Sequence, residues 1–229
     1  MALAIFDIDG TLVTGAGTER RFYLELLRSG NQGPRQVTAA LAFLLVMSPR
    51  YGRQVFKKNK AYLAWLNRKK LQDLASDWTA TALERDWFKP ALQRLRQHQA
   101  AGDRVLLLSG TPQFIAAGIA ARLGVDECLG SVCAERAASF DWRAPVRHPF
   151  GVEKLAIAAD YARARSITPV EVSAYADSHH DLPLLVWSGR AVAVRPDRQL
   201  ARVAAQRNWE ILGDRSADMD GSGSLSAQQ

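Results

Sequence analysis

The chain has 229 residues, of which 48% are hydrophobic and 23% are charged, a composition typical of a globular protein rather than a disordered or fibrous one. Two cysteines are too few for a disulfide framework, and the longest apolar runs are too short to span a bilayer. The net charge of +7 favours anionic partners, such as phosphate esters, acidic membrane surfaces or nucleic acid.

The first predicted element is a strand from Leu3 to Ile8, an apolar run of the kind found in buried parallel sheets. The N-terminus has neither the basic segment nor the long apolar segment of a secretion signal. We therefore expect a cytoplasmic protein, with peripheral contact to the inner membrane as an alternative. Residues 15–87 then show helical periodicity and no strand pattern, which predicts a helical cap inserted after the first strand.

Inside this insertion, the stretch from Arg50 to Lys70 is rich in lysine and arginine and contains no acidic residue. An apolar run from Val37 to Met47 precedes it. Two segments of this kind are typical of a buried cap helix beside a solvated basic face, but a helix lying on an anionic membrane has the same pattern. Helical spacing places four cations on one face, and the first three are our candidates for contact with substrate: Arg50, Arg53, Lys57 and Lys60.

After the insertion, short apolar runs alternate with helical patterns, which indicates a doubly wound, mostly parallel α/β sheet. The further strands that we predict are Arg104 to Leu108, Val172 to Ala176 and Ala191 to Val194. Residues 1–14 and 88–213 are assigned to the core, residues 15–87 to the cap, and the polar residues 214–229 to a disordered tail.

Polar side chains stand where three of the predicted strands end, and parallel strands end at the same edge of a sheet. Asp7, Ser109 and Asp177 are at these ends, with Asp9, Thr111 and Asp181 close behind each in turn. Carboxylates that lie close together repel one another unless a cation is bound among them. Oxygen ligands without a Cys or His pair suit Mg²⁺. The sequence therefore predicts a Mg²⁺ site of the kind that serves phosphoryl transfer.

At such a site, Asp7 could attack phosphorus and form an aspartyl-phosphate. Asp9 could protonate the leaving oxygen and later activate water. Other groups are expected to shape the turn beside the phosphate, donate hydrogen bonds to it or balance its charge: Gly10, Thr11, Ser109 and Lys154.

Four segments together resemble the motifs of the haloacid dehalogenase superfamily, in their usual order. They are DIDGT at Asp7 to Thr11, LSGT at Leu108 to Thr111, Lys154 within GVEKL, and ADSHHDLPLL at Ala176 to Leu185. The resemblance covers the whole core. A helical insertion between the first two motifs resembles subclass IB, the phosphoserine phosphatase-like branch.

The resemblance implies a role for each matching residue. Asp7 is the expected nucleophile, and Asp9 is the expected general acid and base. Mg²⁺ is expected to be bound by Asp7, the backbone carbonyl of Asp9 and Asp177. Asp181 is expected to orient metal-bound water, and His180 to contact the ligands rather than the ion. The phosphoryl group is expected to be held by Gly10, Thr11, Ser109, Gly110 and Lys154.

Two departures from the phosphoserine phosphatase pattern bear on the substrate. The first acidic residue after the DIDGT motif is Glu19, several positions later than is usual, and His180 precedes Asp181 where asparagine is common. Serine phosphate is therefore not the first choice. The sequence from Ser109 to Pro112, together with the apolar run in the cap, also resembles bacterial phosphatidylglycerophosphate phosphatases of the same branch.

We therefore predict a Mg²⁺-dependent phosphomonoesterase that acts on a small or lipid-linked phosphate ester. A lipid phosphatase at the inner membrane surface is the first alternative, and a non-enzymatic module that binds anionic membranes is the second. Nucleic acid is not expected as a partner, because the basic stretch is not part of any recognisable nucleic-acid-binding module.

Overall fold

The computed structural model describes residues 2–215 apart from the side chain of Arg53. Residues 216–229, which make up most of the predicted tail, lie outside the described residues. A six-stranded sheet has the order β3-β2-β1-β6-β7-β8, and all of its strand pairs are parallel. Its strands are β1 (Leu3–Phe6), β2 (Arg104–Pro112), β3 (Glu127–Ser131), β6 (Val172–Ala176), β7 (Arg190–Val194) and β8 (Glu210–Leu212), and a separate hairpin consists of β4 (Glu135–Arg136) and β5 (Ser139–Phe140).

Helices cover both faces of the sheet, which explains why β1 is apolar at every position. One face of β1 packs beneath α5 (Lys89–Ala100) and α6 (Gln113–Leu123), together with helices of the insertion. The other face packs against α7 (Val152–Arg163), α8 (Leu182–Trp187) and α9 (Arg198–Gln206). The predicted doubly wound α/β fold is confirmed.

The central strands match the prediction, whereas two edge strands were not predicted. β3 and β8 have the sequences ECLGS and EIL, which are short and poor in consecutive apolar residues. Each is paired on one side only, so its sequence does not need the continuous apolar pattern of a central strand.

The described helices of the insertion lie between β1 and α5. They are α1 (Thr18–Arg28), α2 (Pro34–Tyr51), α3 (Val55–Lys58) and α4 (Arg68–Thr81), with 3₁₀ turns at Gly52–Gln54 and Ala61–Leu63. The prediction of one basic helix through this stretch is wrong. Gly52 has a φ of 51°, a left-handed conformation that ends α2, and Asn59 is extended after α3. Arg50 and Lys57 therefore lie on different elements.

The insertion is joined to the core along one side. α4 packs on α6 so closely that a Cβ atom on Gly118 would lie 2.4 Å from Oγ1 of Thr79. The β4–β5 hairpin adds backbone hydrogen bonds, including one of 2.9 Å from Trp65 N to the carbonyl oxygen of Phe140. A smaller apolar cluster lies within the insertion itself, around Phe43 and Val55.

The α2 helix leaves apolar side chains exposed on the far side of this cluster. Leu41, Leu45 and Val46 are more than half exposed, as is Phe56 in α3. Among residues 2–215, no helix is both long enough and apolar enough to cross a membrane.

Candidate active site

The carboxyl ends of β1, β2 and β6 meet at one cleft of about 530 Å³, which lies between the sheet edge and the insertion. Asp7 follows β1, Ser109 lies within β2, and Asp177 follows β6, and all three residues line the cleft. The predicted convergence of polar residues at this edge is therefore what the structure shows.

Three carboxylates lie together in this cleft. Asp7, Asp177 and Asp181 each offer an oxygen atom, and these atoms are all within 4.8 Å of one another. Burial, followed by the negative charge of Asp7, raises the pKa of Asp177 above its usual range. Burial likewise raises the pKa of Asp181, although Lys154 opposes the shift. The cluster thus lacks enough positive charge to keep all its carboxylates ionised easily.

Lys154 supplies the buried cation at the centre of the cluster. Its Nζ atom lies 2.9 Å from Oδ1 of Asp7 and 2.8 Å from Oδ2 of Asp181. Burial alone would lower the pKa of this amine, but the two carboxylates raise it above its ordinary value. Lys154 is therefore charged and fixed next to the predicted nucleophile.

Asp9 belongs to the cleft but not to the carboxylate cluster. Its side chain accepts hydrogen bonds from the backbone N–H of Thr18 at 2.7 Å and from Oγ1 of Thr111 at 2.8 Å, with Oγ1 of Thr18 at 3.2 Å. Burial raises the pKa of Asp9, while these hydrogen bonds oppose the shift. A carboxyl group with a raised pKa holds a proton more readily and suits a general acid.

The two threonines contact Asp9, but sequence reasoning assigned no role to Thr111 and did not indicate Thr18. Thr111 was visible in the LSGT segment, because a polar residue at a strand end is a usable signal. Thr18 carried no such signal. It reaches the site because α1 begins there, and the first N–H groups of a helix have no partner within the helix.

Gly10 brings the turn after β1 against Asp177. Its φ is 83°, and a Cβ atom at this position would lie 2.2 Å from Oδ2 of Asp177. Ser109 Oγ lies 3.2 Å from Oγ1 of Thr111 and faces the cleft, as does Gly110. Thr11 is fully buried, and its Oγ1 atom has no hydrogen-bond partner among the described residues.

Of the cap candidates whose side chains the structure describes, Lys57 lies at the cleft and Arg50 does not. Lys57 lines it, with Nζ 5.8 Å from the ring centroid of Phe150. Arg50 is exposed and is absent from the described lining, which corrects its prediction. The side chain of Arg53 lies outside the part of the chain that the structure describes.

A buried ion pair in the insertion was not predicted. Lys60 is only 4% exposed and pairs with Glu19, which also accepts a hydrogen bond of 2.8 Å from the hydroxyl of Tyr62. All three residues line the cleft. The carboxylate of Glu19 is thus already neutralised by a cation of this chain.

The opposite wall is aromatic and contains two histidines. The ring centroids of His148 and Phe150 are 5.9 Å apart, and those of Phe150 and His180 are 4.6 Å apart. His180 therefore contacts this wall, and burial together with His179 and Lys57 lowers its pKa. His148 and Phe150 were not predicted, because they lie in a loop without motif or periodicity.

The start of the predicted tail also reaches the site. Arg215 forms an ion pair with Asp177, although sequence reasoning had placed residues 214–229 in a disordered segment. The guanidinium partly offsets the raised pKa of that carboxyl.

The donor set fits a divalent metal ion. Three carboxylates supply hard oxygen ligands within a small volume, and the raised pKa values of Asp177 and Asp181 indicate that further positive charge would be accommodated.

Comparison with known proteins gives a consistent result. The family model described as haloacid dehalogenase-like hydrolase matches residues 4–186. A phosphoserine phosphatase of Mycobacterium tuberculosis is 30% identical over 244 residues, covering 94% of this chain and 72% of the relative. A histidinol-phosphatase of Neisseria meningitidis is 26% identical, and the match covers 92% of this chain and 97% of the relative. A Bordetella pertussis protein of unknown function has a structure with a TM-score of 0.77 and 23% identity over 92% of this chain and 97% of that one.

Proposed function

This chain belongs to the haloacid dehalogenase-like hydrolases, and we propose that it is a Mg²⁺-dependent phosphomonoesterase that works through an aspartyl-phosphate. The observation that carries the proposal is the cluster of Asp7, Asp177 and Asp181 around the buried amine of Lys154. Phosphatase names among the relatives support the same class of reaction.

In the first half of the reaction, a carboxylate oxygen of Asp7 bonds to phosphorus as the bond to the ester oxygen breaks. Asp9 gives its proton to that leaving oxygen, so the alcohol departs neutral. In the second half, Asp9 takes a proton from water, whose oxygen attacks phosphorus. The bond between phosphorus and the Asp7 oxygen breaks, so that inorganic phosphate leaves and the Asp7 carboxylate is restored.

The remaining groups hold and stabilise the phosphoryl group. Lys154 supplies a fixed positive charge beside Asp7, and Ser109 with the backbone at Gly110 offers donors in the last part of β2. Gly10 and Thr11 shape the turn after β1. A Mg²⁺ ion held by Asp7, Asp177 and the backbone carbonyl of Asp9 would neutralise charge on the phosphate oxygens.

The insertion, residues 15–87, is proposed to act as the cap over the core formed by residues 1–14 and 88–213. It supplies Lys57, Lys60 and Glu19 to the cleft and so faces the leaving group. Because α4 is packed on α6, opening would be carried by the segments farther from that contact, α2 and α3.

The substrate is proposed to be a phosphorylated small molecule. Two relatives bear names that point to different substrates, phosphoserine phosphatase and histidinol-phosphatase, so similarity to them does not identify the substrate of this chain. Glu19 is the first acid after the DIDGT motif, and Lys60 already neutralises it. A substrate ammonium group would therefore be stabilised little by the Glu19 carboxylate.

A phospholipid substrate is a second candidate because the insertion exposes apolar side chains, one of them at the cleft. Phe56 lines the cleft and is 71% exposed, and Leu45 in α2 is 80% exposed. Sedimentation with anionic and neutral vesicles at low salt tests this candidate. Binding to anionic vesicles would support this candidate if the double variant Leu45→Ser with Phe56→Ser abolishes it. Binding to neither kind of vesicle would leave a soluble phosphate ester as the proposed substrate.

Phosphate release tests the main proposal. The panel contains soluble phosphomonoesters and phosphatidylglycerophosphate in detergent, with Mg²⁺ or EDTA, and wild type is compared with Asp7→Asn. Turnover that needs Mg²⁺ and is lost in the variant is the expected result. Equal activity of the two proteins would remove Asp7 from the mechanism. Vesicle binding without turnover of any ester would favour the non-enzymatic module.

A further inference from the structure

His148 occupies an unusual place in the wall of the cleft. It lies in the loop before α7, is only 3% exposed and lines the cleft beside the phosphate-binding turn. A Cβ atom on Gly110 would be 3.5 Å from Cε1 of its ring. The backbone N–H of His148 donates to Oε1 of Glu153 at 2.8 Å. The imidazole is therefore fixed next to the site where a phosphate ester would bind.

The hydrogen bonds of the ring determine its tautomer. Oγ of Ser131 lies 2.6 Å from the carbonyl oxygen of Gly110, which can only accept, so the serine hydroxyl donates its one proton there. Nδ1 of His148 lies 2.7 Å from the same Oγ and must therefore be the donor. The neutral ring then carries its lone pair on Nε2.

Nε2 is an acceptor without a partner. It is buried and makes no hydrogen bond with any described residue. Burial, followed by the charges of Lys60, Lys58 and Lys57, lowers the pKa of His148 to about 3, so the ring stays neutral at ordinary pH. A buried acceptor left unpaired is unfavourable, and a bound ligand that donates to it would remove that penalty.

Resting on the proposed phosphatase activity, we propose that Nε2 of His148 accepts a hydrogen bond from a hydroxyl group of the leaving alcohol and so selects hydroxylated phosphate esters. The nearby cations favour a neutral donor over an ammonium group. His148 would then determine specificity, since a site that pairs with a substrate hydroxyl rejects the analogue that lacks it.

Matched esters and two variants of His148 separate this role from a structural one. The substrate pairs are ethyl against 2-hydroxyethyl phosphate and propyl against 3-hydroxypropyl phosphate, with phosphoethanolamine as the ammonium analogue. His148→Asn keeps a donor for Ser131 and removes the acceptor at Nε2. His148→Gln brings an acceptor near the position of Nε2 and loses the donor to Ser131. Thermal melting verifies that each variant is folded.

Wild type is expected to favour the hydroxylated member of at least one pair by about tenfold in kcat/KM. His148→Asn is expected to lose this ratio and His148→Gln to keep most of it. A wild type without preference, or a preference that survives in His148→Asn, would overturn the inference. So would a preference for phosphoethanolamine over 2-hydroxyethyl phosphate.

A second measurement does not depend on turnover. In Asp7→Asn protein labelled with ¹⁵N, the Nε2 resonance of His148 should shift when the hydroxylated ester of at least one pair binds and stay in place when the alkyl ester of that pair binds. Equal resonance positions with the two saturating esters in both pairs would contradict the proposed contact. Absence of Mg²⁺-dependent hydrolysis by wild type would refute the phosphatase proposal, and the NMR result would still decide the role of His148.

Discussion

At the scale of single residues, Asp9 is oriented by two threonines. Thr18 and Thr111 donate hydrogen bonds to this carboxyl, and neither threonine has a described hydrogen bond to Asp7, Asp177 or Asp181. Their contribution should therefore be greatest when the leaving oxygen needs a proton.

Thr111→Val is expected to lower kcat/KM about tenfold for alkyl phosphates and much less for p-nitrophenyl phosphate, whose leaving group is stable without protonation. The reason is the loss of the hydrogen bond of 2.8 Å that orients Asp9. Steady-state kinetics on both substrates measure the difference. Thr38→Val is the control, because exposed Thr38 bonds only within its own helix. Equal losses on the two substrates would argue against an acid role for Asp9.

Gly10 allows a second prediction at this scale. Gly10→Ala should abolish Mg²⁺-dependent activity and weaken Mg²⁺ binding, because the new Cβ atom would collide with Asp177. Gly15→Ala is the matched control: φ there is 78°, and a Cβ atom would have no atom within 4 Å. Both variants carry the backbone cost of a left-handed residue, about 1 kcal/mol. Calorimetric Mg²⁺ titration should therefore distinguish them, and similar affinities would show that the approach to Asp177 is unimportant.

At the scale of elements, α9 is joined to the loop after β6 by one carboxylate. Asp197 caps α9 by accepting from the N–H of Leu200 at 2.8 Å, and it accepts from Nδ1 of His179 at 2.8 Å. Burial alone would raise the pKa of Asp197, but these hydrogen bonds outweigh it and lower the pKa to about 2. The helix start and the segment bearing Asp181 are thus fixed together.

Asp197→Asn should cost about 1–2 kcal/mol of unfolding free energy at pH 7. Since the pKa in the folded state is below the ordinary 3.8, the ionised carboxylate stabilises the fold above about pH 4. This contribution is lost as pH falls from about 4 towards 2. Urea unfolding across that range should show the two proteins converging in acid. Asp160→Asn, at an exposed ion pair, is the control and should change little at any pH.

Elements also explain what the sequence could and could not predict. β1, β2, β6 and β7 are buried on both faces, so their composition is distinctive, and polar residues at or near the carboxyl ends of the first three lie in the cleft. The helical content of the insertion followed from periodicity. The direction of its side chains could not be predicted from periodicity, because the helical pattern is interrupted at Gly52 and at Asn59. As a result, Lys60 lies in the cleft and Arg50 lies outside it.

At the scale of the whole molecule, the chain end described by the structure reaches back to its centre. Arg215 pairs with Asp177, at the proposed metal site. Arg215→Ala should tighten Mg²⁺ binding several-fold and lower the melting temperature of the metal-free protein, because the guanidinium and the cation compete for one carboxylate. Arg198→Ala serves as the control, because it removes an exposed arginine that is outside the described lining of the cleft. Weaker Mg²⁺ binding in Arg215→Ala would mean that the arginine assists the ion instead.

The pairing of the two ends of the insertion has a consequence for how the protein folds. β1 pairs with β2 although Leu3 and its partner Arg104 are about one hundred residues apart along the chain. The two ends of the insertion are hydrogen-bonded to each other, by Thr14 N to the oxygen of Asp86 and by Phe88 N to the oxygen of Leu12. Helices that form early in this segment would bring these ends together and reduce the loop-closure entropy of the central strand pair. The insertion would then serve the folding rate of the sheet as well as the shape of the cleft.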